Sequence, residues 1–179
     1  QILARLDPTK SESNLGESAA KYRALDPTKS ESNLGESAAK YRAALAGSAR
    51  LQAEVNQTEL VFPEELQEFP ELITAETRLF ETRQRRLAEA LEGIDNSLDL
   101  VKSELKITES LAATGAASNV EVLRLRRQKV ELELKALEFR SEYLVQAREE
   151  LARARSDVES LESVVMGRSD TLTRLTNRS

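Results

Sequence analysis

From Glu71 to about Ala113 the apolar side chains fall at Ile73, Phe80, Leu87, Leu91, Ile94, Leu98, Val101 and Leu105, and steps of three and four continue the series through Thr108 and Ala112. This is the heptad spacing of a helix that buries one narrow stripe against another helix. After Thr114-Gly115-Ala116-Ala117 a second series carries Val120, Leu123, Arg127, Val130, Leu134, Leu137, Ser141, Leu144, Arg148, Leu151, Arg155 and Val158, and its helix reaches about Met166-Gly167. The two series mirror one another. Folding the chain at Ala116 sets Val101 against Val130, Leu98 against Leu134, Ile94 against Leu137, Phe80 against Leu151 and Ile73 against Val158, with Glu76 opposite Arg155. The pattern predicts two long antiparallel helices whose seam includes Leu98, Val101, Val130 and Leu134. Its flaws are Arg83 facing Arg148 and Leu105 facing Arg127, which long arginines can relieve by extending to the flank. At about 1.5 Å per residue each arm would be about 65 Å long.

Local signals supply the boundaries. Ser118-Asn119-Val120-Glu121 has the form of a capping box, Ser at the N-cap and Glu three residues on, and Gly115 suits the turn before it. Asp26-Pro27 suits an N-cap followed by the first helical position, so a shorter helix is predicted over 26–56. It is apolar at Leu34, Ala38, Tyr41, Leu45 and Leu51. Two placements stay open for it, a third helix against the base or an end-to-end stack on one arm. The stretch 57–70, with Pro63 and Pro70, reads as an ordered connection. Residues 171–176 alternate Thr with apolar positions, so 168–179 reads as a strand stub. Residues 1–25 are a duplicated leader, because Leu6–Ala24 recurs unchanged as Leu25–Ala43. Structural repeats drift and stack in about three copies or more, so this identity points to a copying event rather than to architecture. The expected fold class is all-α, a long antiparallel two-helix coiled-coil hairpin with an additional shorter helix at the base; the arms span 71–113 and 119–167 about a tip turn at 114–118.

Composition narrows the chemistry. Aromatic residues are 4% of the chain and charged residues 32%, which suits a buried stripe and not a large globular core. There is no cysteine and no histidine, so disulfides and the usual zinc ligand sets are excluded. A net charge of -5 with interspersed signs offers no extended basic surface for nucleic acid. The run Arg124, Arg126, Arg127 and Lys129 is read first as a solvated face, with an acidic rim on a partner as the sharper alternative. Glu64, Glu65 and Glu68 lack metal-type spacing, and no catalytic residue, cofactor or metal ligand is expected. No apolar run of about 18 residues could cross a membrane. The abrupt ends at Gln1 and Ser179 read as those of a piece of a longer protein. Leu111, apolar in the last turn before the tip with little core left to cover, is the sharpest candidate for a partner contact.

The ends Ile2-Leu3-Ala4-Arg5-Leu6-Asp7-Pro8-Thr9 and Leu172-Thr173-Arg174-Leu175-Thr176-Asn177-Arg178-Ser179 resemble the segments that leave and re-enter the lipoyl-like domain of HlyD-family periplasmic adaptors, also called membrane fusion proteins. SNLGESAAKYRA, FPELITAETRLF, TGAASNVEVLRLRRQKVELELK and FRSEYLVQAREELA further resemble adaptors of type I secretion systems for RTX proteins and adhesins. The resemblance implies a periplasmic protein anchored to the inner membrane. It would bridge an ABC transporter to a TolC-like outer-membrane channel as a homo-oligomer, usually a hexamer, with no nucleic acid partner. It also implies that the hairpin tip, here Leu111, Gly115, Ala116, Ser118 and Glu121, meets the channel. Family tips carry Arg, then Leu four residues later and Ser seven after that; Leu111 and Ser118 fit, while the Arg position is Ile107 with Lys106 beside it. Two readings of Ser118 and Glu121 stand at this point, a cap alone or a cap that also meets the channel. The alternatives in function are a drug-efflux adaptor of the same family and a generic coiled-coil scaffold.

Overall fold

The computed structural model describes the backbone of residues 8–176 and the side chains of residues 31–170, 173 and 174. Three long helices, α1 (Pro8–Asn56), α2 (Pro70–Ala113) and α3 (Asn119–Thr176), are joined by a connection holding one 3-10 turn (Glu64–Leu66) and by the tip. The all-α hairpin with an additional helix is the fold present, and the described residues contain no strand. Two expected boundaries differ. The first helix starts at Pro8 and not at Asp26, continuing through Pro27. An interior proline forfeits one amide bond and costs about 3 kcal/mol, but stopping there would require a new nucleus on the far side, and helix nucleation is itself unfavourable. At the other end, the expected strand is helical through Thr176. Six alternating residues without a partner strand gain little as a strand, whereas extending an existing helix adds a bond per residue. The remaining strand-like residues, 1–7 and 177–179, lie outside those described.

The two helix ends that flank the connection are shaped by backbone geometry. Gln57 takes a φ of 55°, which lets the Thr58 amide reach back to the Ala53 carbonyl at 3.1 Å and satisfies an orphan acceptor of the last turn of α1. The connection packs Leu66 out of solvent. Pro70 is then the first residue of α2, where its missing N–H costs nothing.

The chain divides into two compact units, one formed by 44–156 and the other by the described parts of 1–43 and 157–179. In the latter, the Arg168 guanidinium on α3 donates to the Asn33 carbonyl at 3.2 Å and to Ser37 Oγ at 3.1 Å on α1. In the unit 44–156 the end of α1 lies against the hairpin as a third helix, burying Ala46, Leu51 and Ala53. Of the two placements left open by the sequence, this unit adopts the first.

The hairpin seam is half of what the heptads predict. On α2 the expected Ile94, Leu98 and Val101 are buried. On α3 the expected Leu151 is buried, whereas the expected Val130, Leu134 and Leu137 are exposed and Val122, Leu125, Ala136 and Ala147 are buried in their place. Ile94, Leu98 and Ala136 form one cluster with Leu91 and Leu132 packed beside it. The expected face of α3 would have carried Arg127, Arg148 and Arg155 into the seam, and desolvating guanidinium groups without partners is expensive. The face used instead holds alanines at two of its buried positions, which keeps those three arginines exposed.

Candidate functional site

The tip is built from one carbonyl outward. The Leu111 carbonyl accepts from the Thr114 amide at 3.2 Å, the Ala116 amide at 2.8 Å and the Thr114 hydroxyl at 2.9 Å. Gly115 closes this turn with a φ of 77°, a conformation that costs an L-residue about 1–2 kcal/mol. Ser118 then caps α3, its Oγ accepting from the Val120 amide at 3.1 Å. Only half of the expected capping box forms. The Glu121 carboxylate takes the Arg124 guanidinium at 2.5 Å, and the hydrogen bond from Arg124 holds the Glu121 carboxyl below its usual range. Of the expected tip residues, Gly115, Ala116 and Ser118 are exposed, Glu121 is half-buried and Leu111 is 45% exposed.

The basic run near the tip is largely neutralised within the hairpin. Arg126 pairs with Glu109 of α2 at 2.7 Å, Arg124 also lies 3.9 Å from Glu104, and Lys129 lies 3.7 Å from Glu133. Among the described residues no carboxylate is paired with Arg127, which is exposed.

At the other end of the unit 44–156, sequence reasoning missed a buried charge cluster that joins all three helices. Glu54 is 1% exposed and Arg50 6% exposed. Arg50 reaches Glu54 and Glu76, each at 2.6 Å; Arg83 reaches Glu54 at 3.1 Å and Glu150 at 2.8 Å. Its guanidinium also sits 5.9 Å from the centre of the Tyr143 ring. The predicted clash of Arg83 with Arg148 is thereby avoided, and Glu76 turns to Arg50 while Arg155 bonds Gln52. The available signal was the i, i+4 pair Arg50 and Glu54 on a face otherwise apolar, but its partners come from helices far away in sequence. Burial disfavours the charged Arg50, yet hydrogen bonds with Glu76 and then Glu54 outweigh it and leave its pKa raised. Burial, followed by the negative charge of Glu54, pushes the Tyr143 phenol up to about 12. Tyr143 therefore contributes stability that is complete below the free phenol pKa of about 10 and is lost as pH rises from there through the folded value. With Tyr22 and Tyr41 changed to Phe, an ultraviolet phenolate titration should give a midpoint near the folded value; a midpoint at the free value would show that the pocket does not enclose the phenol.

The described residues contain no group of acidic side chains placed to hold a metal, and no helix among them is long and apolar enough to cross a membrane. What this geometry offers is a rigid three-helix base and an exposed turn at the far end of the hairpin. Comparison with known proteins turns on the same parts. Residues 30–99 match the family of "AprE, long alpha-helical hairpin". The AprE-like stretch covers the end of α1, the connection and most of α2, and stops before the tip. No curated protein matches the chain in sequence. Among solved structures, the soluble domain of LipC, a membrane fusion protein of a type I secretion system, shares the fold with a TM-score of 0.71 at 17% identity, over 83% of this chain and 93% of that one. The long helical hairpin that the resemblance of sequence segments implied is what both comparisons share.

Proposed function

We propose that this chain is the helical-hairpin part of a periplasmic adaptor of a type I protein secretion system. The observation that carries the reading is the coincidence of an AprE-type hairpin match with a fold that covers nearly the whole soluble domain of a type I secretion membrane fusion protein. The adaptor would sit in the periplasm, held to the inner membrane by parts of the longer protein, and would assemble with further copies of itself. Its work is mechanical: the hairpin spans the gap between an inner-membrane ABC transporter and a TolC-like outer-membrane channel, and the tip docks on the channel so that cargo bypasses the periplasm. Leu111, Gly115, Ala116 and Ser118 offer that contact, and Glu121 steadies it through Arg124.

In-cell cross-linking from a photoreactive residue at Ala116 of the full-length protein tests this role. Capture of an outer-membrane channel protein is the expected result; capture of other copies alone would favour a scaffold. A second expectation concerns Leu111, whose exposed side chain adds contact area without serving the seam. Leu111→Asp should abolish secretion with helicity unchanged, as read by circular dichroism beside a secretion assay, and an equal loss of helicity would remove the distinction.

A further inference from the structure

The end of α1 meets the hairpin through few large apolar side chains. It buries Ala46, Arg50, Leu51, Ala53 and Glu54, and of these only Leu51 is large and apolar. The pairs Arg50–Glu76 and Glu54–Arg83 ascend together, so α1 runs parallel to α2, toward the tip.

The sequence of α1 holds a second face of the same kind. Seven residues before the buried positions stand Ala39, Ala43, Ala44, Ala46 and Gly47. A slide of α1 by two turns, about 10 Å toward the tip, would therefore refill the contact with small side chains. Shorter slides are blocked: moving by three residues puts Arg50 in the place of Ala53, and moving by four puts Arg42 in the place of Ala46 and Arg50 in that of Glu54. α1 ends at Asn56, so a slide toward the base would leave the contact without helix. The connection permits the upward slide. Glu54 is level with Arg83, about 20 Å of helix above the start of α2, and the stretch 57–69 reaches about 40 Å when extended.

Charge separates the two heights. Arg50 reaches Glu54 and Glu76, and Arg83 reaches Glu54 and Glu150. At the slid height Ala43 and Gly47 would take the places of Arg50 and Glu54. Glu76 would then lose its arginine, and Arg83 would keep Glu150 alone. A half-buried or buried charge stripped of its partner is expensive, and choosing one register among similar apolar packings is what buried polar groups do in coiled-coil seams. Burial of Leu51, and of Leu66 in the connection, opposes the slide in the same direction.

We propose that Arg50, Glu54, Glu76, Arg83 and Glu150 form a register lock, which holds α1 at one height on the hairpin and excludes the height two turns nearer the tip. In an adaptor the lock makes the end of α1 and the hairpin move along their common axis as one body. That consequence rests on the adaptor reading; the lock itself does not.

The chain has no cysteine, so spin labels can be placed at Asn56→Cys and Ser110→Cys, both exposed, and their separation read by pulsed electron paramagnetic resonance. The labelled chain should give one distance. Arg50→Ala combined with Glu54→Ala should add a second population about 10 Å shorter. Leu51→Ala, which keeps the charges, should lower the melting temperature and keep the single distance. One unshifted distance in the charge-free variant would overturn the proposal, as would a shorter population in Leu51→Ala. A broad spread in the charge-free variant would overturn it too, since α1 would then undock and not slide. The Ala116 capture experiment decides the adaptor reading separately.

Discussion

Glu54→Ala is expected to lower the stability of the three-helix base by about 3 kcal/mol, the lower part of the range for breaking a buried ion pair. The loss comes less from the missing attraction than from what stays behind. Arg50 and Arg83 both turn toward Glu54, and Arg50 is almost fully buried, so without the carboxylate two cations share a largely buried region. Glu76 and Glu150 still face them, which keeps the cost from the top of that range. Thermal melts followed by circular dichroism would show the shift, with Glu36→Ala as the control. The Glu36–Lys40 pair is exposed at both side chains, and such pairs contribute little. Equal melting of the two variants would mean that the cluster is hydrated and does not lock the helices. Joint replacement of Glu54 and Arg50 by Leu and Met should recover much of the loss, because removing both partners leaves fewer uncompensated charges.

The second large effect separates the two faces of α3. Leu125 is wholly buried, and Leu125→Ala should cost about 3 kcal/mol through lost transfer energy and an unfilled cavity. Leu125→Asp should cost more, since an ionised carboxylate would be buried among apolar groups. Leu134→Asp, on the exposed stripe, should change the stability of the isolated chain by about 0.5 kcal/mol or less. Urea titrations of the three variants decide between the faces. A severe loss in Leu134→Asp with a tolerated Leu125→Asp would restore the seam that the heptads predict.

The two predictions also mark where sequence reasoning ended. Heptad spacing, few aromatics and the Gly115 turn determined an antiparallel helical hairpin and the position of its tip, because periodicity and turn chemistry are local properties. The cap at Ser118 was legible for the same reason, and the resemblance of short segments to membrane fusion proteins was legible residue by residue. The face that α3 buries was not. Its sequence carries two apolar stripes, and the heptad spacing follows the one through Leu134 and Leu137; the choice fell to the stripe with Leu125, Ala136 and Ala147, since the other would bury Arg127, Arg148 and Arg155. Nor could the sequence say where the end of α1 goes. Arg50 and Glu54 are an i, i+4 pair whose burial depends on α2 bringing Glu76 and Arg83, and α3 bringing Tyr143 and Glu150, to the same place. Desolvation of charge depends on what surrounds a residue in three dimensions, and only the tertiary structure supplies those surroundings.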